Sequence, residues 1–366
     1  MNRRDFLLTS AALAAVTPAL ADDAVNVSHE AQALYQKALV FDANAFPPLN
    51  GDFPFPQSQL DMTRDSGVTA VKSSLGGFNN SFEDTLGEIA GFQRVIEQYP
   101  TLFMQIRKAP DFAFAKSSGR MGIVFSFEAV TPLDGKIERI ELFRNFGVMV
   151  MQISYNIESP FGTGVMGNPA ARLTPLGAKA VAEMNKQGVA LDLSHSNEAT
   201  AMDAIAASAK PVLITHAGCK AVHDHPRNKS DALLKAIADK GGVVGIYDLP
   251  YLTASPKQPT LDDYMAHMTH ALAICGEDHV GIGSDSSIAP WDTSPEATAA
   301  FNKDEEDRHK AGVAAPEEDR PMYVEGLNTP RRCEVIADAL LKRGYKARVA
   351  EKVLGQNFIG TLGRIW

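Results

Sequence analysis

Cysteine is scarce in this chain. Cys219, Cys275 and Cys333 are the only three in 366 residues, they lie far apart, and no CxxC occurs. That pattern offers neither a disulfide framework nor a cysteine-built metal site, and the three read as isolated thiols. Long apolar runs are missing too: no segment reaches the about 18 uncharged apolar residues that a membrane span requires. Positive charge is in deficit, with 35 Lys and Arg against 44 Asp and Glu and a net charge of −9. No basic stripe with interleaved aromatics offsets that balance, which argues against a nucleic-acid partner.

What is present is apolar bulk. A chain of this length with 45% hydrophobic residues can build one large core, and one domain of β/α-barrel size fits better than several small ones. The first residues, MNRRDFLLTSAALAAVTPALA, carry Arg3 and Arg4, then Phe6 and Leu7, an apolar run to about Val16, and Ala19-Leu20-Ala21 as a small-residue cleavage site. This is the pattern of a twin-arginine signal peptide. The expectation is that residues 1–21 are removed by the export machinery and that 22–366 form a single domain in the bacterial periplasm. The apolar run is too short to leave a stable membrane span.

Beyond the leader, Val- and Ile-rich runs alternate with helical patterns, as a βαβ series demands. The runs are Ala38–Asn44, Val68–Leu75, Met121–Glu128, Val148–Tyr155, Val189–His195, Pro211–His216, Gly242–Asp248 and His279–Asp285. Eight such units close most simply as an α/β fold of the (β/α)8, TIM-like type. Helix signals agree: Ser28 caps a helix to Lys37, Phe82–Gln98 carries a one-sided apolar stripe, and Thr174-Pro175 is a cap followed by proline at the first helical position. The segment 286–329 is irregular, proline-rich and highly charged. It reads either as a solvated helix with a loop or as a lid over the face where the strands end.

The chemistry gathers at those strand ends. Runs three to six and eight finish in Glu128, Tyr155, His195, His216 and Asp285. Side chains leaving the carboxyl ends of neighbouring strands converge on one pocket. His195 and His216 are one strand–helix–strand unit apart, so their imidazoles can share an ion. With Glu128 and Asp285 they offer two neutral nitrogens and two carboxylates, a set suited to Zn2+ and to a water activated by it. A carboxylate left off the metal could take up the proton. Gly162, Gly164 and Gly167 form a GxGxxG, but it opens no helix straight after a strand, so no dinucleotide role is assigned.

The chain also resembles the membrane (renal) dipeptidases, peptidase family M19. The resemblance rests on SFEAVTPL at 126–133, RLTPLGAKAVAEMNKQGVALDLSHSNEAT at 172–200, KPVLITHAGCKAVHDHPRNKSD at 210–231, HVGIGSD at 279–285 and KRGYKARVAEKVLGQNF at 342–358. It implies a dipeptide or related small amide as substrate, Glu128 as the metal-bridging carboxylate, and His195 and His216 as ligands of one metal position. It implies Arg227, with Asn228 beside it, at the substrate carboxylate, and Asp285 as the catalytic aspartate. Tyr155 stands where the family has an oxyanion-stabilising histidine. Members of the family are often dimers, but no stretch here supplies an interface.

The departures are as specific as the matches. The family's first strand ends in Asp-Gly-His-x-Asp, whose His and second Asp bind the other metal; here Asn44 and Phe46 replace them. An amide carbonyl is a poor zinc ligand and a phenyl ring is none. One Zn2+ per chain, on Glu128, His195 and His216, is therefore expected instead of two. Three readings follow: a one-metal dipeptidase-like hydrolase, an isomerase- or lyase-like tailoring enzyme using Tyr155 and Asp285, or a homologue that binds a small molecule without turning it over.

Overall fold

Each apolar run read from the sequence contains one barrel strand. In the computed structural model, which describes residues 26–51, 53–77 and 80–366, these are β1 (Phe41–Asp42), β2 (Ala70–Leu75), β3 (Met121–Phe127), β4 (Val148–Gln152), β5 (Ala190–Asp192), β6 (Leu213–Ala217), β7 (Val243–Ile246) and β8 (Val280–Ile282). All pair in parallel. The barrel closes at β1, which pairs with β2 through Phe41 and Ala70 and with β8 through Asp42 and Ile282. The result is a (β/α)8 barrel. Residues 1–21, read from the sequence as a signal peptide, lie outside the described residues.

Two small additions were not legible in the sequence. Strand Phe103–Gln105 pairs with the first half of β3, where β4 has not yet joined it. A parallel ribbon of Ala45–Phe46 with Ser286–Ser287 prolongs β1 and β8 past the rim. That ribbon holds Asn44 against Asp285, whose N–H donates to the Asn44 carbonyl at 2.7 Å.

Buried aspartates staple the strand ends. Asp192 on β5 accepts from the N–H and hydroxyl of Ser194 and from the N–H and hydroxyl of Thr215 on β6. Asp42 on β1 accepts from the N–H and hydroxyl of Ser284, just past β8. A buried carboxylate is tolerable only with such donors. Glycine lets β6, β7 and β8 approach closely: a Cβ on Gly283 would stand 1.8 Å from the Thr215 carbonyl oxygen, and one on Gly245 2.0 Å from it.

The opposite end of the barrel is plugged with aromatic side chains. Phe41 meets Phe112 and Phe358 edge-on at 5.0 and 6.0 Å, and Trp366 stacks on Phe112. Each large apolar side chain buried there stabilises the fold by about 1.5–3 kcal/mol. Chemistry is thereby confined to the C-terminal rim. The outer helices use the two caps foreseen, Ser28 and Thr174, and Ser81 caps a third; each accepts from a first-turn N–H.

Segment 286–329 is more ordered than a solvated loop. Ser294 caps a helix, Pro295–Lys310, that buries Phe301 and Glu305. The return strand of chain lies across the rim, with Val313, Ala315, Glu318, Val324 and Leu327 buried. No described helix is long and apolar enough to cross a membrane.

Candidate metal centre and substrate pocket

Glu128 follows β3, His195 follows β5 and His216 lies on β6, and their ligand atoms all fall within 4.8 Å of one another. The imidazoles are buried, and their Nε2 atoms stand 3.0 Å apart. Their neighbours fix the tautomers. Asn156 donates its Nδ2 hydrogen to the Val313 carbonyl, so its Oδ1 accepts from His195 Nδ1 at 2.8 Å. Thr215 donates its hydroxyl hydrogen to Asp192, so its oxygen accepts from His216 Nδ1 at 2.9 Å. Both Nε2 atoms therefore carry lone pairs that face each other, an arrangement repulsive by itself and relieved by a cation between them. Burial, and after it the charge of Arg227, lowers both imidazole pKa values well below the ordinary one, which keeps them neutral and ready to ligate. The residues present thus fit one metal ion.

They do not fit a second in the family's manner. Asn44 is buried where a ligand would stand, and its Nδ2 donates to Glu128 Oε1 at 3.0 Å and to Asp285 Oδ1 at 2.6 Å. An amide nitrogen bridging two carboxylates takes the place of an ion. Phe46 sits in the ribbon and has no ligand atom to offer.

Asp285 holds a left-handed backbone, φ 61°, which is costly for a residue with a Cβ and is common at functional positions. Burial, with the charge of Glu128 behind it, pushes its carboxyl up to about 7. Its Oδ2 lies 3.9 Å from His216 Nε2. Tyr155 stacks on the His195 ring, centroids 4.3 Å apart, and burial pushes its phenol up to about 12. It stays protonated at neutral pH and can donate a hydrogen bond.

Arg227 lies in a turn but is buried, 2% exposed. Its buried Nε and Nη2 have no hydrogen-bond partner among the described residues. Those two atoms form the edge of the guanidinium that grips a carboxylate with two parallel bonds. Burial opposes the cation, but Asp285 and the phenols of Tyr251, Tyr247 and Tyr155 outweigh it and raise its pKa. Asn228, beside it, is engaged within its own loop: its Nδ2 donates to the His223 and Tyr251 carbonyls, and its Oδ1 accepts from the Tyr247 hydroxyl.

Sequence reasoning missed four contributors. Asn156 orients His195, Asp192 acts through Thr215 on His216, Arg308 reaches Tyr155 from the capping segment, and Lys72 is buried inside the barrel. Only Lys72 left a trace in the sequence, a lone cation within the apolar strand AVKSSL. His267 is wholly buried and accepts from the Cys219 N–H.

A closed parallel barrel with a Glu-His-His set at its strand ends defines the class: a (β/α)8 barrel with a candidate metal site at its rim. A family model described as membrane dipeptidase (peptidase family M19) matches residues 52–298, and the chain belongs to that family. Among curated proteins it is similar to dipeptidase tcpJ of Claviceps purpurea, 25% identical over 288 residues, 78% of this chain and 60% of that one. The chain therefore spans less than two thirds of that relative's length. Among solved structures, an amidohydrolase from Pseudomonas aeruginosa has a TM-score of 0.78 at 28% identity, covering 92% of this chain and 99% of that one. A metallo peptidase from Rhodobacter sphaeroides, liganded with a phosphinate mimic of the dipeptide L-Ala-D-Ala, shares the fold at 21% identity and a TM-score of 0.71, covering 90% and 99%. Membership of a metallopeptidase family implies a metal cofactor, for which Glu128, His195 and His216 are the candidate site.

Proposed function

We propose that this protein is a metal-dependent dipeptidase that works with one divalent cation, zinc by ligand chemistry, held by Glu128, His195 and His216. The observation that carries the reading is the pair of unpartnered, buried donors on Arg227 in the same pocket as that metal set. A carboxylate is the ligand those donors lack, and a dipeptide presents one next to its amide bond. A bound divalent ion supplies Lewis acidity to a carbonyl and lowers the pKa of a coordinated water.

The chain's own residues do the rest. Arg227 anchors the substrate's carboxylate and so sets the position of the scissile amide. Asp285, poised near neutrality, takes up a proton and returns it to the departing amine. The Tyr155 hydroxyl offers a hydrogen bond to the developing oxyanion, where a neutral donor stabilises less than a charged one. Asn228 shapes the loop that presents Arg227. Segment 286–329 acts as a lid that excludes water, with His225 Nε2 bonded to the Pro316 carbonyl and Tyr251 donating to Glu318. The twin-arginine leader supports export to the periplasm of a chain that folds, and takes up metal, before it crosses the membrane.

The test is zinc content by elemental mass spectrometry beside a dipeptide panel that includes D-residues. About one zinc per chain, absent in Glu128→Ala and His195→Ala, together with cleavage of at least one dipeptide, is expected. A folded protein with no metal, or with metal and no cleavage across the panel, sinks the proposal.

A further inference from the structure

Lys72 lies on β2 with its ammonium inside the barrel, 1% exposed. Its Nζ donates to Ser126 Oγ at 3.2 Å and to Ser74 Oγ at 3.4 Å. The nearest carboxylate, Asp192, is 4.0 Å away and already accepts from Ser194 and Thr215. A buried ammonium with serine hydroxyls as its direct partners is expensive to keep, and such groups persist where their charge has a use.

The hydrogen bonds around it have a definite direction. Lys72 donates to Ser74, whose hydroxyl donates to Asn44 Oδ1 at 3.3 Å. That bond fixes the Asn44 amide so that Nδ2 points to Glu128 and Asp285. The line thus runs from a full positive charge, through a hydroxyl and an amide, to two carboxylates that touch one nitrogen. Lys72 also acts electrostatically on Asp285, His195 and His216. Two facing carboxylates need positive charge between or behind them, and here the first strand no longer offers the histidine and aspartate that would hold an ion.

We propose that Lys72 is the built-in replacement for the second metal ion: its charge, relayed by Ser74 and Asn44, positions Glu128 and Asp285 and repels a second dication from the chamber. This rests on the one-metal reading above. Lys72 is a positioning residue, since it touches neither the candidate metal ligands nor the substrate-binding arginine.

Zinc titration of the metal-free full-length protein tests it without reference to activity. Asn44→His with Phe46→Asp restores two ligands but leaves the ammonium, so the second zinc should bind weakly. Adding Lys72→Met, or in parallel Lys72→Gln, should tighten that second zinc at least tenfold. In the otherwise native chain, Lys72→Met should tighten the single zinc by a similar factor, which keeps the test open if the combined variants fail to fold. Unchanged zinc affinity on neutralising residue 72, in either background, overturns the proposal. A protein that binds one zinc but cleaves no dipeptide refutes the hydrolase reading alone, and the comparison of zinc affinities still decides the role of Lys72.

Discussion

Asn156 Oδ1 lies 2.8 Å from His195 Nδ1, and the amide is oriented by its other end, which donates to the Val313 carbonyl of the segment that crosses the rim. One side chain thus links the covering segment to the tautomer of a candidate metal ligand. Packing of a loop and ligation of an ion become parts of one arrangement.

Asn156→Leu keeps the volume and removes both bonds. His195 then loses the partner that holds its hydrogen on Nδ1, and zinc affinity should fall about 10- to 100-fold. Chelator competition reads the change; unaltered affinity in a folded variant would show that the tautomer is set elsewhere.

Arg227→Lys retains charge and gives up the two parallel donors. A loss of about 1.5–3 kcal/mol, or roughly 10- to 150-fold in kcat/KM for a dipeptide, is expected, because a point charge cannot reproduce both bonds. The same variant should discriminate little against a substrate whose carboxylate is amidated. Steady-state kinetics on the matched pair of substrates checks both statements.

Gly164→Ala should destabilise the site loop. An added Cβ would stand 1.8 Å from the Tyr155 carbonyl oxygen and 2.3 Å from the Asn156 carbonyl carbon. The backbone that carries both residues must move, at a cost of about 1–3 kcal/mol in overpacking. Thermal denaturation should show a lower midpoint, together with weaker zinc retention since Asn156 is displaced. A variant as stable as the parent would mean that the loop relaxes freely.

Glu305 lies on the capping helix, where it faces Glu318, Arg308 and Asp304. Burial, then the charge of Glu318, raises its pKa above the ordinary 4.5 against the opposing pull of Arg308. With the folded value above the unfolded one, its favourable contribution is complete below 4.5 and is lost as pH rises through the folded value. Glu305→Gln is neutral throughout. From about pH 5 to about pH 9 the parent should therefore lose stability relative to the variant. Thermal midpoints across that range decide, and parallel curves would dismiss the effect.

The barrel was readable because each strand has to be apolar along its length and each outer helix has to present one apolar stripe. These are local demands, written within runs of residues. All eight runs contain a barrel strand. Strand Phe103–Gln105 was not recognised: it pairs on one side only and buries just Phe103 of its three residues, so its sequence carries no sustained apolar run. The ribbon joining 45–46 to 286–287 escaped for another reason: its two halves are far apart in the chain and each is only two residues long.

Residue types and their order along the chain determined the family, the rim position of Glu128, His195, His216 and Asp285, and the loss of His and Asp ligands at Asn44 and Phe46. Only the tertiary structure decided what fills that loss. The direction of an amide, the tautomer of an imidazole and the burial of Arg227 depend on groups brought together from distant strands, such as Val313 against Asn156 or Ser74 against Asn44. Hydrogen bonds act over about 3 Å of space, whatever the separation in sequence. A strand's period can be read along the chain, but the partners of its polar atoms become known only once the barrel has closed.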